Sequence, residues 1–171
     1  MNSKINRVLF ILIALEFLFA AGCKKGTEPA NTNNISTEDS IKAAQEIDSV
    51  INGYTQAHNE MNAGKAADFF INSPEMLVLE NGERYADWAT LAKFIKDFYS
   101  TTASAKVTWT DKKILVLSPA SSIMTGKFTF ESISKDKKKY ASSGWATILL
   151  IKQNNQWKFQ QYHESYKILT K

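Results

Sequence analysis

The sequence is short of the residues from which most reactive sites are built. Cys23 is the one cysteine in 171 residues, so no disulfide can close within the chain. Zinc sites made of clustered cysteines are excluded for the same reason. There are only two histidines, His58 and His163. A two-histidine metal site would need a carboxylate to complete it, and none is clearly placed, so no metal or cofactor is expected. No G-x-S-x-G elbow and no glycine-rich phosphate loop occur. His163 and Ser165 stand two apart without an orienting carboxylate, which is poor equipment for acyl transfer. The formal net charge is +4, and the one basic cluster, Lys135 with Lys137, Lys138 and Lys139, lacks interleaved aromatics. Nucleic-acid binding is therefore not expected. There are no internal repeats.

What is present at the start concerns location. Lys4 and Arg7 form a basic leader, and Val8 to Ala21 is apolar apart from Glu16. That run is shorter than the ~20 residues needed to span a bilayer and has the form of an export signal. Ala20-Ala21-Gly22-Cys23 resembles the lipobox of bacterial lipoproteins, with Ala20 where leucine is commonest. The resemblance implies cleavage after residue 22 and a lipid on Cys23. A free, incidental Cys23 after a signal cut elsewhere is the alternative. A lipidated Cys23 would leave the mature domain without a thiol and exclude cysteine catalysis. It would also place the protein in the bacterial cell envelope, anchored to a membrane. Lys24 is compatible with outer-membrane sorting by analogy. Residues 23–35, with Gly26, Pro29 and several asparagines, read as a flexible tether.

Residues 36–171 read as one domain. Aromatics make up 12% of the chain, enough to build a core at this length. Thr37 is a candidate N-cap with Glu38 and Asp39 in the first turn. Ile41, Ala44, Ile47, Ile51, Tyr54, His58 and Met61 then form one stripe of a long helix. Lys65 to Ile71 is a short second helix. Glu75 to Glu80 is extended, and Asn81-Gly82 turns it. Asp87 caps a third helix striped by Trp88, Leu91, Ile95 and Phe98. After Thr102 the period becomes two, giving four long strands. Of these, Trp145 to Ile151 is apolar on both faces, which predicts cover on both sides. Asn154-Asn155 closes a hairpin. Segregated helices and hairpin-linked strands mean an α+β class.

The last strand carries a resemblance. Trp157-Lys158-Phe159, with His163 and Ser165, resembles the terminal strand of SnoaL-like domains, members of the nuclear transport factor 2-like superfamily. Asn62-Ala63-Gly64-Lys65, Asn81-Gly82 and Gly144-Trp145-Ala146-Thr147 resemble further family features in the same order. The resemblance covers about residues 36–171. It implies a cone: three N-terminal helices against a curved, mainly antiparallel sheet, with a pocket at the wide end. Enzymes and non-catalytic binding modules share that fold, so the fold alone names no function. A ketosteroid-isomerase mechanism is not expected. Glu80 is the one carboxylate near the base position, and the donor tyrosine position falls on Ala57.

Strict alternation puts Gln161, His163 and Ser165 on one face of the last strand, the concave face in the family reading. Tyr54 and His58 point inward from the first helix. With Trp88, these six are the pocket candidates. Each histidine has a structural alternative as a hydrogen-bonded core residue. Three functions follow. The first is a lipid-anchored module that binds a small hydrophobic or amphipathic ligand. The second is an acid–base enzyme of dehydratase or isomerase type using a pocket histidine. The third is a structural module that forms a homodimer through the outer sheet face.

Overall fold

The computed structural model describes residues 35–169. The expected signal at 1–22, lipidated Cys23 and most of the tether lie outside the described residues. Three helices and six strands occur among those described, in the order α1 Thr37–Asn59, α2 Ala63–Ala67, β1 Leu77–Glu80, β2 Glu83–Tyr85, α3 Trp88–Thr101, β3 Thr102–Ser118, β4 Ser121–Ser134, β5 Lys139–Gln153 and β6 Gln156–Ile168. No described helix is long and apolar enough to cross a membrane.

Short polar side chains start the helices. The Ser36 hydroxyl, one residue before the expected Thr37, accepts from the Asp39 N–H at 3.0 Å and caps α1. Asn62 caps α2 through the Lys65 N–H, and Asp87 caps α3 through the Thr90 N–H at 2.8 Å. The helices do not all precede the sheet, because the β1–β2 hairpin lies between α2 and α3. Its turn is Asn81-Gly82, both at positive φ. Strand β2, three residues long, is an element that the alternation does not announce.

One six-stranded sheet runs β2-β1-β6-β5-β4-β3. Neighbours are antiparallel except β1 and β6, which run parallel with Leu77 opposite Gln161 and Glu80 opposite Glu164. Helix α1 lies on the sheet's inner face. Its buried stripe of Ala43, Ile47, Ile51, Tyr54 and Ala57 joins Met124, Phe128, Ile148, Leu150 and Phe159 in the core. A polar stripe beside it holds α1 to β3. Asn59 accepts from the Val107 N–H at 2.7 Å, Thr55 accepts from the Trp109 indole at 3.0 Å, and Asp48 pairs with Lys112.

Strand β5 departs from expectation on its outer face. Ala146, Ile148 and Leu150 are buried, but Trp145 on the opposite face is 53% exposed. The inner face is covered by α1, whereas on the outer face Trp145 stands exposed and Leu149 is half-buried.

The last strand holds the largest correction. Leu150 is opposite Phe159, yet Leu149 is opposite Gln161, so Gln160 is an extra residue without a partner on β5. This β-bulge reverses the facing of everything after it. Trp157 and Phe159 point inward before the bulge, and Tyr162, Glu164 and Tyr166 do so after it. Gln161, His163 and Ser165 are turned to the outer face. There they sit beside Leu149, Thr147 and Trp145 of β5.

Candidate functional site

The inner face of the sheet and helices α1 and α3 enclose a cavity of about 660 Å³. Phe98, Phe128, Phe130 and Trp109 make much of its wall, with Leu91, Ile95 and Val78. At its inner end the polar groups are Tyr54 and His58 on α1, Tyr99 on α3, Glu80 on β1, and Tyr162, Glu164 and Tyr166 on β6. Toward the β4–β5 turn the lining is more polar, with Thr101, Ser132, Ser134, Lys138, Lys139 and Tyr140 among its residues.

Two carboxyl groups meet in it. Glu80 and Glu164 are register partners on the parallel β1–β6 pair. Adjacent strands lie about 4.8 Å apart, so the two side chains rise side by side from one face. The Tyr162 hydroxyl donates to Glu164 Oε2 at 2.7 Å, and the Tyr166 hydroxyl reaches Glu80 Oε1 at 3.4 Å. Burial lifts the Glu164 carboxyl to about 7; the charge of Glu80 adds to the rise and the Tyr162 hydrogen bond opposes it. Burial also raises Glu80, against the hydrogen bond from Tyr166. Near neutral pH this pair is therefore still partly protonated, where two exposed carboxylates would be fully ionised.

The histidine in the cavity is neutral. Burial pulls His58 down to about 4. Its Nδ1 and the Tyr99 hydroxyl are buried without a hydrogen-bond partner. The rings of His58 and Tyr99 meet edge to face at 5.4 Å, and Tyr54 meets His58 at 5.8 Å. Burial keeps Tyr54, Tyr99 and Tyr162 protonated as neutral hydroxyl groups.

Of the six residues expected from sequence, Tyr54 and His58 line the cavity. Trp88 does not; its indole N–H donates to the Ala67 carbonyl at 3.0 Å and ties α3 to α2. Gln161, His163 and Ser165 face away for the reason given above. The groups missed are Tyr99, Tyr162, Glu164 and Tyr166, with Glu80, which was weighed only as an isomerase base. A trace of the bulge was in the sequence: large side chains at 157 and 159 resume at 162 and 166, a break in the period of two. No cluster of three metal-ligating side chains occurs among the described residues.

The curved mixed sheet, the long helix across it and the cavity between them define the nuclear transport factor 2-like fold, and solved structures agree. A protein of that superfamily from Salmonella enterica superposes with a TM-score of 0.68 at 18% identity, over 77% of this chain and 95% of its own. A Novosphingobium aromaticivorans protein provisionally named scytalone dehydratase gives a TM-score of 0.72 at 11% identity, over 77% of this chain and 89% of its own. Hexachlorocyclohexane dehydrochlorinase type 3 from Novosphingobium barchaimii gives 0.66 at 11% identity, over 79% and 95%. Within the fold, the chain belongs to the SnoaL-like domain family, whose model matches residues 47–169. No curated protein matches the sequence.

Proposed function

We propose that the domain binds a small, largely apolar molecule in the cavity between α1, α3 and the sheet, and that a lipid on Cys23 holds it in the bacterial cell envelope, at the outer membrane. The observation that carries the binding reading is the cavity itself. Its volume of about 660 Å³ falls in the range of small-molecule sites, roughly 300–1,000 Å³, and its wall combines aromatic rings with polar groups gathered at its two ends. Two of those groups, His58 Nδ1 and the Tyr99 hydroxyl, lack partners within the protein. A thermal-shift screen of the intact protein against lipids, sterols and aromatic metabolites tests it. A binder present at a hundred times its Kd should add about 2.7 kcal/mol of stability. A screen without a saturable shift, with native mass spectrometry detecting no retained small molecule, would overturn the reading. Labelling cells with a radioactive fatty acid, with and without Cys23→Ala, tests the anchor.

A second reading is favoured by the Glu80–Glu164 pair. A carboxyl near 7 beside an aromatic wall is suited to moving a proton to or from carbon or oxygen. Proton-transfer chemistry of dehydratase or isomerase type would then use Glu164, rather than His163 on the outer face. The names of two structural neighbours, a dehydratase and a dehydrochlorinase, fit that class of reaction. Turnover that is lost in Glu164→Gln and retained in His163→Ala would support it. Turnover unaffected by Glu164→Gln would remove it.

A further inference from the structure

We propose that the cavity selects a cationic amphiphile: an organic ammonium whose nitrogen lodges against the carboxyl groups of Glu80 and Glu164 while its apolar body lies along the aromatic wall. This rests on the small-ligand reading above and narrows it to one chemical class.

The first argument is charge. Glu80 and Glu164 stand side by side in register, and neither belongs to an ion pair among the described residues. Their hydrogen-bond partners are neutral hydroxyls, so the protein supplies donors and no counter-charge. Two neighbouring acids in a place of low polarity are costly to ionise together, and a cation placed between them removes that cost.

The second argument is the wall. Tyr54, Tyr99, Tyr162 and Tyr166 line the same cavity. Aromatic faces attract organic cations, and a carboxylate adds to the attraction when water is excluded.

The remaining charged groups do not oppose a cation at this end. His58 on α1 is neutral. Glu83 on β2 adds negative charge near Glu80. Tyr140 on β5 lies beside Tyr166 and brings no cation. Lys138 and Lys139 lie toward the far rim, because Lys139 is seven residues along β5 from Ala146, the partner of Glu164, or roughly 23 Å at strand spacing. Lys138 is also paired with Asp136. When the ammonium docks, the share of a proton that the acid pair holds near neutral pH leaves to solvent.

Titration calorimetry of the intact protein with phenylbutylamine, phenylbutanol and phenylbutyrate near neutral pH tests the proposal. The amine should bind at least about tenfold more tightly than the alcohol, with proton release seen as a buffer-dependent heat. Glu80→Gln and Glu164→Gln should each lower amine affinity about tenfold and leave the alcohol unchanged. Circular dichroism should show both variants folded. An alcohol or acid that binds as tightly as the amine, or an amine preference that survives both substitutions, overturns the cation proposal and leaves the apolar pocket standing. Failure of all three compounds to bind overturns both.

Discussion

Glu80 and Glu164 are paired across the parallel junction of β1 and β6, each within reach of a tyrosine hydroxyl from the same strand, Tyr166 and Tyr162. The pairing is a consequence of topology. Strand β6 is contacted on one side by β5 and on the other first by residues 69–71 and then by β1. Its inward residues are therefore central in the sheet and close to buried neighbours.

The pH dependence of stability should show two opposed contributions. Glu164 rises from an ordinary 4.5 to about 7 on folding. Between those values the native state keeps a proton that the unfolded state has released, so this group lowers stability as pH rises through the window. Each unit is worth ~1.4 kcal/mol, which makes roughly 3 kcal/mol an upper limit. His58 falls from 6.5 to about 4 on folding. Between those values the unfolded state binds the extra proton, so this group raises stability as pH rises. The parent should be nearly flat where the windows overlap. Glu164→Gln should be more stable than the parent at neutral pH and gain stability from pH 4 to 6.5. His58→Phe should lose stability with rising pH over the Glu164 window. Urea titrations across pH check both, and unchanged slopes in the two variants would contradict the assignment.

Gly144→Ala should be among the most damaging single-methyl additions in the chain. Gly144 faces Tyr166 across the β5–β6 pair. A Cβ there would stand 2.1 Å from the Ser165 carbonyl oxygen and 2.6 Å from the Tyr166 Cβ. Both obstacles belong to or adjoin the neighbouring backbone, so relief requires the strands to part. A loss of about 2 kcal/mol or more is expected. Chemical denaturation of the variant measures it, and Tyr166 beside the cavity would be displaced along with the strand.

Glu46 joins α1 to the opening of β6. Its Oε2 accepts from the Trp157 indole at 2.9 Å and from Lys152 Nζ at 2.7 Å. Trp157 is buried, so removing the acceptor strands an indole N–H. Glu46→Ala should cost about 1–3 kcal/mol, and Glu46→Gln, which keeps an acceptor, should cost less. Equal losses in the two variants would show that charge, not the indole bond, is what matters at this position.

Periodicity and caps carried most of the fold. The middle of the α1 stripe from Ile47 to His58, the Asp87 cap, the Asn81-Gly82 and Asn154-Asn155 turns and the four long strands are local features with a local chemical cause, so the sequence displays them; at the ends of the stripe Ile41 is exposed and Met61 lies past the helix. The site was half legible. Tyr54 and His58 lie on a helix, where the 3.6-residue period is forgiving of small errors. Gln161, His163 and Ser165 were misplaced because a strand has a period of two and one uncounted residue inverts its facing. Glu164 sits one residue beyond His163, and nothing in composition marks it as inward. Its partner Glu80 is 84 positions earlier, and only the parallel pairing unites them. That crossover is a tertiary fact without a local signature.

The bulge itself can be tested by deleting Gln160. It has no partner on β5, and the main chain shifts register there between Leu149 and Leu150. Without it, plain alternation along β6 puts Trp157, Phe159, Tyr162, Glu164 and Tyr166 on one face, the face they already occupy, and leaves Gln161, His163 and Ser165 on the other. The deletion should therefore keep the fold and cost no more than about 1–3 kcal/mol, from the local bend that the bulge provides. One alanine inserted between Tyr162 and His163 is the contrasting case. It would turn His163 and Ser165 inward and Glu164 and Tyr166 outward, and should cost several kcal/mol more. Thermal melts of the two variants side by side give the answer. In a strand that carried no surplus residue, losing one would invert everything beyond it, so a deletion variant that unfolds would remove the bulge, and with it the placement of Glu164 in the cavity would fall.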